Sequence, residues 1–161
     1  MHDNSRRLIT EFVGSFPEDA RGRVLDVGSQ DINGNIAGLW HEHGWQYTGL
    51  DIVAGLNVDV VAEPYSYPFA GGAFDVVMSV NVAEHVEDVP RWFVECARVL
   101  RPGGLLCVVT PNKIAYHAYP IDCWRIMKDG MAWLLRRSGL EIVTCDHVGI
   151  DTIGIGRKPA P

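Results

Sequence analysis

A chain of 161 residues, 47% hydrophobic and 21% charged, is one globular domain, long enough to bury a real core and too short for two. Its formal net charge of −6 argues against nucleic acid or an anionic membrane as the main partner. No apolar run reaches bilayer-spanning length, and the opening "MHDNSRRLITEF" has no apolar core of a secretory signal, so the cytoplasm is the expected location.

The elements follow in chain order. Helical spacing of apolar residues runs from Ser5 to about Val13 within an N-terminal helical region (residues 1 to 22) that "GSFPED" brings to a close. "RVLDV" is a short apolar run and reads as a buried strand. Residues 35 to 43 suit a helix that closes at Gly44. "WQYTGLDI" is a second strand, "LNVDVVA" a third, and "FDVVMSV" the clearest of all. A helix is expected over residues 89 to 100, with Trp92, Phe93 and Cys96 facing the core. "RPGG" stops it before the strand "LLCVVTP". An irregular stretch, 111 to 128, precedes a helix near residues 129 to 138, on which Trp133 is expected in the core. "GLEIVTCDHV" and "DTIGIGRK" read as two closing strands.

Strands alternating with helices imply βαβ units and a largely parallel sheet. Such sheets bind ligands at the carboxyl ends of their strands, and that is where polar residues collect: Asp26 and Gly28, Asp51, Glu63, then Asn81, Glu84 and His85. A glycine just after a buried strand lets the backbone approach a ligand. The amides of the loop that follows favour a negative group. Asp51 lies at the end of the second strand, at the spacing from Gly28 of an acid that accepts hydrogen bonds from ribose hydroxyls. A plain strand–turn–helix with an incidental acid is the competing reading. The tight three-glycine loop of a nicotinamide-binding domain is absent, because "GSQDING" holds only Gly28 and Gly34.

Four pieces then combine: "VLDVGS", "YTGLDI", "YPFAGGAFDVVMSVNVAEHV" and "ARVLRPGGLLCVVTPN". In this order and spacing they resemble the class I S-adenosylmethionine-dependent methyltransferases, in particular the small type 11-like group. The likeness runs from about Arg23 to Asn112. It implies a Rossmann-like, doubly wound, mostly parallel seven-stranded α/β sheet with helices on both faces and a final antiparallel strand. It also implies S-adenosylmethionine as cofactor. By the same resemblance Asp26 and Gly28 shape the loop around the methionine moiety, with Ser29 and Gln30 beside them. Asp51 holds the ribose next to Ile52, Glu63 stands where an acid meets the adenine amino group, and Asn81 meets the methionine amino group through its backbone. "GSQDING" departs from the usual glycine pattern and resembles a longer-loop subset.

Methyl transfer from a sulfonium needs positioning and exclusion of water more than a protein nucleophile. For a hydroxyl acceptor, His85 or Asp122 is a candidate base; a pocket-lining or capping role for His85 stands beside that reading. The stretch "YHAYPIDCWR" is dense in recognition chemistry and resembles one found in a subset of these enzymes, several of which accompany surface-polysaccharide or secondary-metabolite pathways. His117, Trp124 and Arg125 are its candidate acceptor contacts. The alternative is a self-packed loop in which Asp122 and Arg125 pair with each other. His41 and His43 form a His-x-His that helical geometry points apart, so no metal is expected. Cys96, Cys107, Cys123 and Cys145 form no C-x-x-C pair and read as reduced, mostly buried thiols.

The expectation is a single domain over residues 1 to 161 that methylates a small-molecule or glycan-type acceptor, with residues 111 to 128 as acceptor loop. Neither nucleic acid nor membrane is an expected partner, and a homodimer is compatible with the sequence. The alternative function is a non-catalytic or partner-dependent S-adenosylmethionine-binding module.

Overall fold

The computed structural model describes residues 2–32 and 34–160. Helix α1 (Asp3–Gly14) precedes β1 (Arg23–Val27), α2 (Ala37–Glu42), β2 (Gln46–Asp51) and β3 (Val60–Val61). Then come β4 (Phe74–Val80), a 3-10 turn (Ala83–His85), α3 (Val89–Val99) and β5 (Leu100–Pro111). Helix α4 (Lys128–Arg137) and the strands β6 (Glu141–Val148) and β7 (Asp151–Arg157) complete the chain. Helix α1 therefore ends well short of residue 22.

The strands form one seven-stranded sheet in the order β3-β2-β1-β4-β5-β7-β6. The pairs from β3 to β5 are parallel, and β7 runs antiparallel to both β5 and β6. Going outward from β1, the chain winds one way through β2 and β3 and the other way through β4 and β5. The switch point lies between β1 and β4, where doubly wound sheets open a ligand crevice.

Both faces of the sheet are covered, which explains the continuous apolar runs of the central strands. Because side chains alternate, Val76 and Met78 of β4 and Cys107 and Val109 of β5 join Ile9, Phe12 and Trp40 from α1 and α2. Val77, Leu106 and Val108 turn to the opposite face and meet Trp92, Phe93, Met131 and Leu135 from α3 and α4. Trp40 and Trp45 stack edge-on, with ring centroids 5.0 Å apart. Helix α3 starts where Asp88 caps it by accepting from Arg91 N (3.1 Å), with Pro90 in the first turn.

Three expectations need correction. Trp133 is 53% exposed. Met131, Leu134 and Leu135 form the buried stripe of α4, and residue 133 falls between them on the outer side. The third strand shrinks to Val60–Val61, because Asn57 and Asp59 bond to Ser29, Tyr47 and Gly49 and hold the preceding segment away from the ladder. Cys123 is exposed and Cys145 only partly covered, whereas Cys96 and Cys107 are buried. Burial pushes the Cys96 thiol up to about 12, so it stays protonated.

Candidate functional site

A cavity of about 930 Å³ opens at the carboxyl ends of β1, β2 and β4. Its volume lies within the range of small-molecule sites. Asp26, Gly28, Ser29, Gln30, Asp51, Ile52, Glu63 and Asn81 all line it, so the structure gathers the eight expected cofactor residues around one space.

The loop after β1 is built to bring backbone close to a ligand. Gly28 has φ +81° and donates its N–H to Leu50 O at 2.8 Å. A Cβ there would lie 2.1 Å from Val82 Cγ2. The longer loop is braced by Asp31, whose carboxylate accepts from Gly34 N (2.8 Å) and Asn35 Nδ2 (2.6 Å). That bracing is how a loop with only two glycines keeps its turn. Ser29 is tied to Asn57, its hydroxyl donating to Asn57 O at 2.8 Å.

Asp51 accepts from Gln30 N (3.1 Å) and Ile52 N (2.7 Å) and still faces the cavity. A carboxylate so oriented has lone pairs left for two hydroxyl donors. Asp26 is buried and takes a hydrogen bond from the Tyr47 hydroxyl at 2.6 Å. Burial raises its carboxyl from 3.8 to about 6, partly offset by the Tyr47 hydrogen bond. Asn81 adopts φ +55°, which is uncommon for a residue other than glycine. Its side-chain oxygen accepts from Ser5 Oγ at 3.2 Å, which turns the amide toward α1. These residues fit the acid, backbone and apolar requirements of a nucleoside with a charged tail.

At the other end of the same cavity, the 3-10 turn after β4 meets the loop that follows β5. His85 and His117 line this end together with Tyr65, Tyr67, Tyr119 and Pro120. The loop is fastened to the turn at several points. Cys123 N and Trp124 N both donate to Glu84 O, the Trp124 indole N–H donates to Val86 O at 2.8 Å, and His85 Nδ1 lies 2.5 Å from Ile121 O.

Three expected site residues are not brought to the cavity wall: Asp122, Trp124 and Arg125. They border a separate shallow depression of about 280 Å³. Arg125 contacts Asp122 through two nitrogens, at 2.5 and 2.7 Å, and also donates to Ile114 O and Ala115 O. Asp122 accepts in addition from His117 N. The guanidinium holds the Asp122 carboxyl well below the usual range, so it is a poor proton acceptor. The self-packed reading of this pair is the one the structure bears out.

Sequence reasoning left Glu84 without a role. It is fully buried, with Oε2 accepting from Thr110 Oγ1 at 3.0 Å and Oε1 without a hydrogen-bond partner among the described residues. Burial raises its carboxyl above the ordinary range. The signal available was its place directly before His85, past the clearest strand. Tyr47, Tyr65 and Tyr67 were passed over as well, since their sequence neighbours do not reveal which way they face.

A doubly wound sheet of this order, with a strand-terminal acid, a glycine-led loop and a cavity at the switch point, defines a class I S-adenosylmethionine-dependent methyltransferase fold. The family model for "Methyltransferase domain" matches residues 25–108, and the chain belongs to that family. A ubiquinone biosynthesis O-methyltransferase of Rhizobium leguminosarum bv. trifolii is 43% identical over 123 residues, covering 64% of this chain and 47% of that protein. The chain spans about half the length, or less, of the curated relatives it matches. Among solved structures, the 1,6-didemethyltoxoflavin-N1-methyltransferase of Burkholderia thailandensis, with 1,6-didemethyltoxoflavin and S-adenosylhomocysteine bound, superposes with TM-score 0.77. It is 15% identical, and the match covers 98% of this chain and 77% of that one. An S-adenosylmethionine-dependent methyltransferase of Mesorhizobium loti gives TM-score 0.74 at 16% identity, over 97% and 99% of the two chains. At these identities the two structures share the fold.

Proposed function

We propose that this chain transfers the methyl group of S-adenosylmethionine to a hydroxyl of a small aromatic acceptor held at the His85–His117 end of the cavity. The observation that carries this reading is continuity: Asp51, His85 and His117 line one cavity, so donor and acceptor would share a single space. When bound, the cofactor supplies an electrophilic methyl on a sulfonium. Asp51 receives the ribose hydroxyls, and the backbone around Gly28 lies along the methionine part. Ile52 and Pro64 offer apolar surface at the adenine end, where Glu63 also lines the wall.

Acceptor class follows from the wall at the far end. Tyr65, Tyr119 and Pro120 present flat apolar surfaces, backed by the buried rings of Tyr67 and Trp92, suited to an aromatic ring. A sugar calls for several polar side chains, and Arg125 and Asp122 are engaged with each other instead. Names among the relatives support oxygen as the methylated atom. The acceptor oxygen bonds to the methyl carbon as the carbon–sulfur bond breaks, the bonding pair stays on sulfur, and the hydroxyl proton is released. The Glu84, His85 and His117 cluster promotes that deprotonation. Most of the remaining catalysis is positioning and exclusion of water.

The test is turnover by the purified chain alone with S-adenosylmethionine and a panel of phenols, sugars and amines. Methylation of a phenol without any added protein is expected. Asp51→Ala should weaken cofactor binding by about 2–4 kcal/mol through the loss of two charge-assisted hydrogen bonds. Preferential methylation of sugars, activity only with a partner chain, or parental cofactor affinity in Asp51→Ala would each overturn the reading.

A further inference from the structure

Glu84, His85 and His117 place one oxygen and two imidazole nitrogens in a common space, with all three atoms within 4.8 Å of one another. Glu84 Oε1 lies 3.8 Å from His85 Nε2 and 3.7 Å from His117 Nε2. Those separations are too long for hydrogen bonds, and Oε1 is buried with no partner.

Proton placement makes the arrangement more pointed. His85 Nδ1 faces Ile121 O at 2.5 Å, so that nitrogen carries the proton and Nε2 is left bare in the neutral ring. His117 Nδ1 faces Ala115 O at 3.1 Å and the Asp122 carboxylate at 3.5 Å, both acceptors. The nearby Arg125 nitrogen, also 3.5 Å from it, already donates to Ala115 O and Asp122. In its neutral form the second imidazole therefore also presents a bare Nε2 toward Glu84. With both imidazoles in their neutral tautomers, three lone-pair donors, Glu84 Oε1 and the two Nε2 atoms, converge on one point. A carboxyl in so buried a place either keeps its proton or pairs with a cation.

We propose that Glu84, His85 and His117 are the ligands of a divalent transition-metal cation at the acceptor end of the cavity. Two imidazoles and one carboxylate are the donor set of Zn²⁺, Fe²⁺, Co²⁺ or Mn²⁺ rather than of Mg²⁺ or Ca²⁺, which take oxygen ligands. Each imidazole is oriented by a backbone carbonyl on its other nitrogen, as metal-bound histidines are. His85 and His117 also line the cavity, so the open coordination positions face it. A hydroxyl of the acceptor bound there becomes more acidic. This part rests on the acceptor location proposed above, and it makes His85 a ligand in place of a base. Because His117 comes from the loop after β5 and the other two from the turn after β4, the cation would also clasp that loop to the sheet.

The experiment uses Co²⁺ alone as probe on chelator-treated protein, followed by calorimetry, visible absorption and thermal unfolding. One Co²⁺ per chain, a d–d absorption band displaced by Zn²⁺, and a raised unfolding temperature are expected. His117→Ala and His85→Ala should each weaken Co²⁺ binding by about a hundredfold or more. Glu84→Gln serves as a third variant if it folds. S-Adenosylhomocysteine is titrated into each protein in parallel, and its affinity should stay within about threefold of the parent, below 1 kcal/mol. Saturable Co²⁺ binding with loss in His117→Ala supports the site even if S-adenosylhomocysteine fails to bind, in which case only the cofactor reading falls. A parent protein that binds S-adenosylhomocysteine but takes up no Co²⁺ overturns the metal site. So does parental Co²⁺ affinity in His117→Ala.

Discussion

Gly28→Ala tests the geometry on which the cofactor end depends. Gly28 has φ +81°, a conformation that costs an alanine about 1–2 kcal/mol. The new Cβ would also sit 2.1 Å from Val82 Cγ2 and 2.9 Å from Cγ1, so the valine must move. Forcing a packed side chain aside costs about 1–3 kcal/mol. Reduced freedom of the unfolded chain returns about 0.4–1 kcal/mol. A net destabilisation of about 1–5 kcal/mol is expected from these contributions. Val82 lines the cavity as well, so its displaced side chain should also weaken S-adenosylhomocysteine binding. The assay is urea unfolding followed by tryptophan fluorescence, with calorimetry for the ligand, on Gly28→Ala, Val82→Ala and the double variant. Removing the valine methyls relieves the clash but not the backbone conformation, so a coupling energy of about 1–3 kcal/mol is expected in the cycle. Zero coupling, or an unchanged unfolding midpoint in Gly28→Ala, would refute the argument.

The Asp26 carboxyl titrates near 6 in the folded chain against 3.8 in its absence, so the folded state binds more protons between those values. Stability should be greatest below pH 4 on this account and fall by about 3 kcal/mol as pH rises through 6; pH-dependent urea unfolding of parent and Asp26→Asn, which should lack the slope, checks it. Trp92→Ala should cost about 3–5 kcal/mol, because its ring is buried against α3's neighbours, whereas Trp133→Ala should stay within about 0.5 kcal/mol. Equal unfolding midpoints for the two would contradict the exposure of Trp133. Arg125→Ala removes both guanidinium contacts to Asp122, leaving the one from His117 N, together with the cross-links to Ile114 and Ala115. Chymotryptic cleavage within residues 112 to 127 should accelerate at least tenfold while the sheet keeps its unfolding midpoint; unchanged cleavage would show that the pair is not what orders the loop.

Strands β1, β4 and β5 were legible because both sheet faces are covered, so apolar runs such as residues 76–78 and 105–109 sit at their centres. The turn residues and strand-end acids then located the cavity without any contact information. Trp133 misled because its place on a helical pattern suggested the core, while the stripe that includes Met131 and Leu135 turns it outward. The segment before β3 misled differently: its apolar letters suggested a strand, but Asn57 and Asp59 bond to neighbouring loops and strands. Glu84 was illegible for a third reason. Its burial depends on Thr110 and on the Cys123–Trp124 backbone, both distant in sequence.

The polar and aromatic density of "YHAYPIDCWR" marks a scaffold more than a set of contacts. Trp124 grips Val86 O, Asp122 gathers His117 N and the Arg125 guanidinium, and Glu84 O receives two backbone amides. These bonds hold a loop that carries no helix or strand of its own, and they do so from outside the cavity. What they deliver to the cavity wall is His117, Ala118, Tyr119, Pro120 and Ile121. On the proposed reading, these five consecutive residues form the wall against which the acceptor lies. Their backbone course is set by side chains that never face the acceptor. Substitution of Tyr119 should therefore alter acceptor choice, while substitution of Arg125 or Trp124 should alter whether any acceptor is held at all.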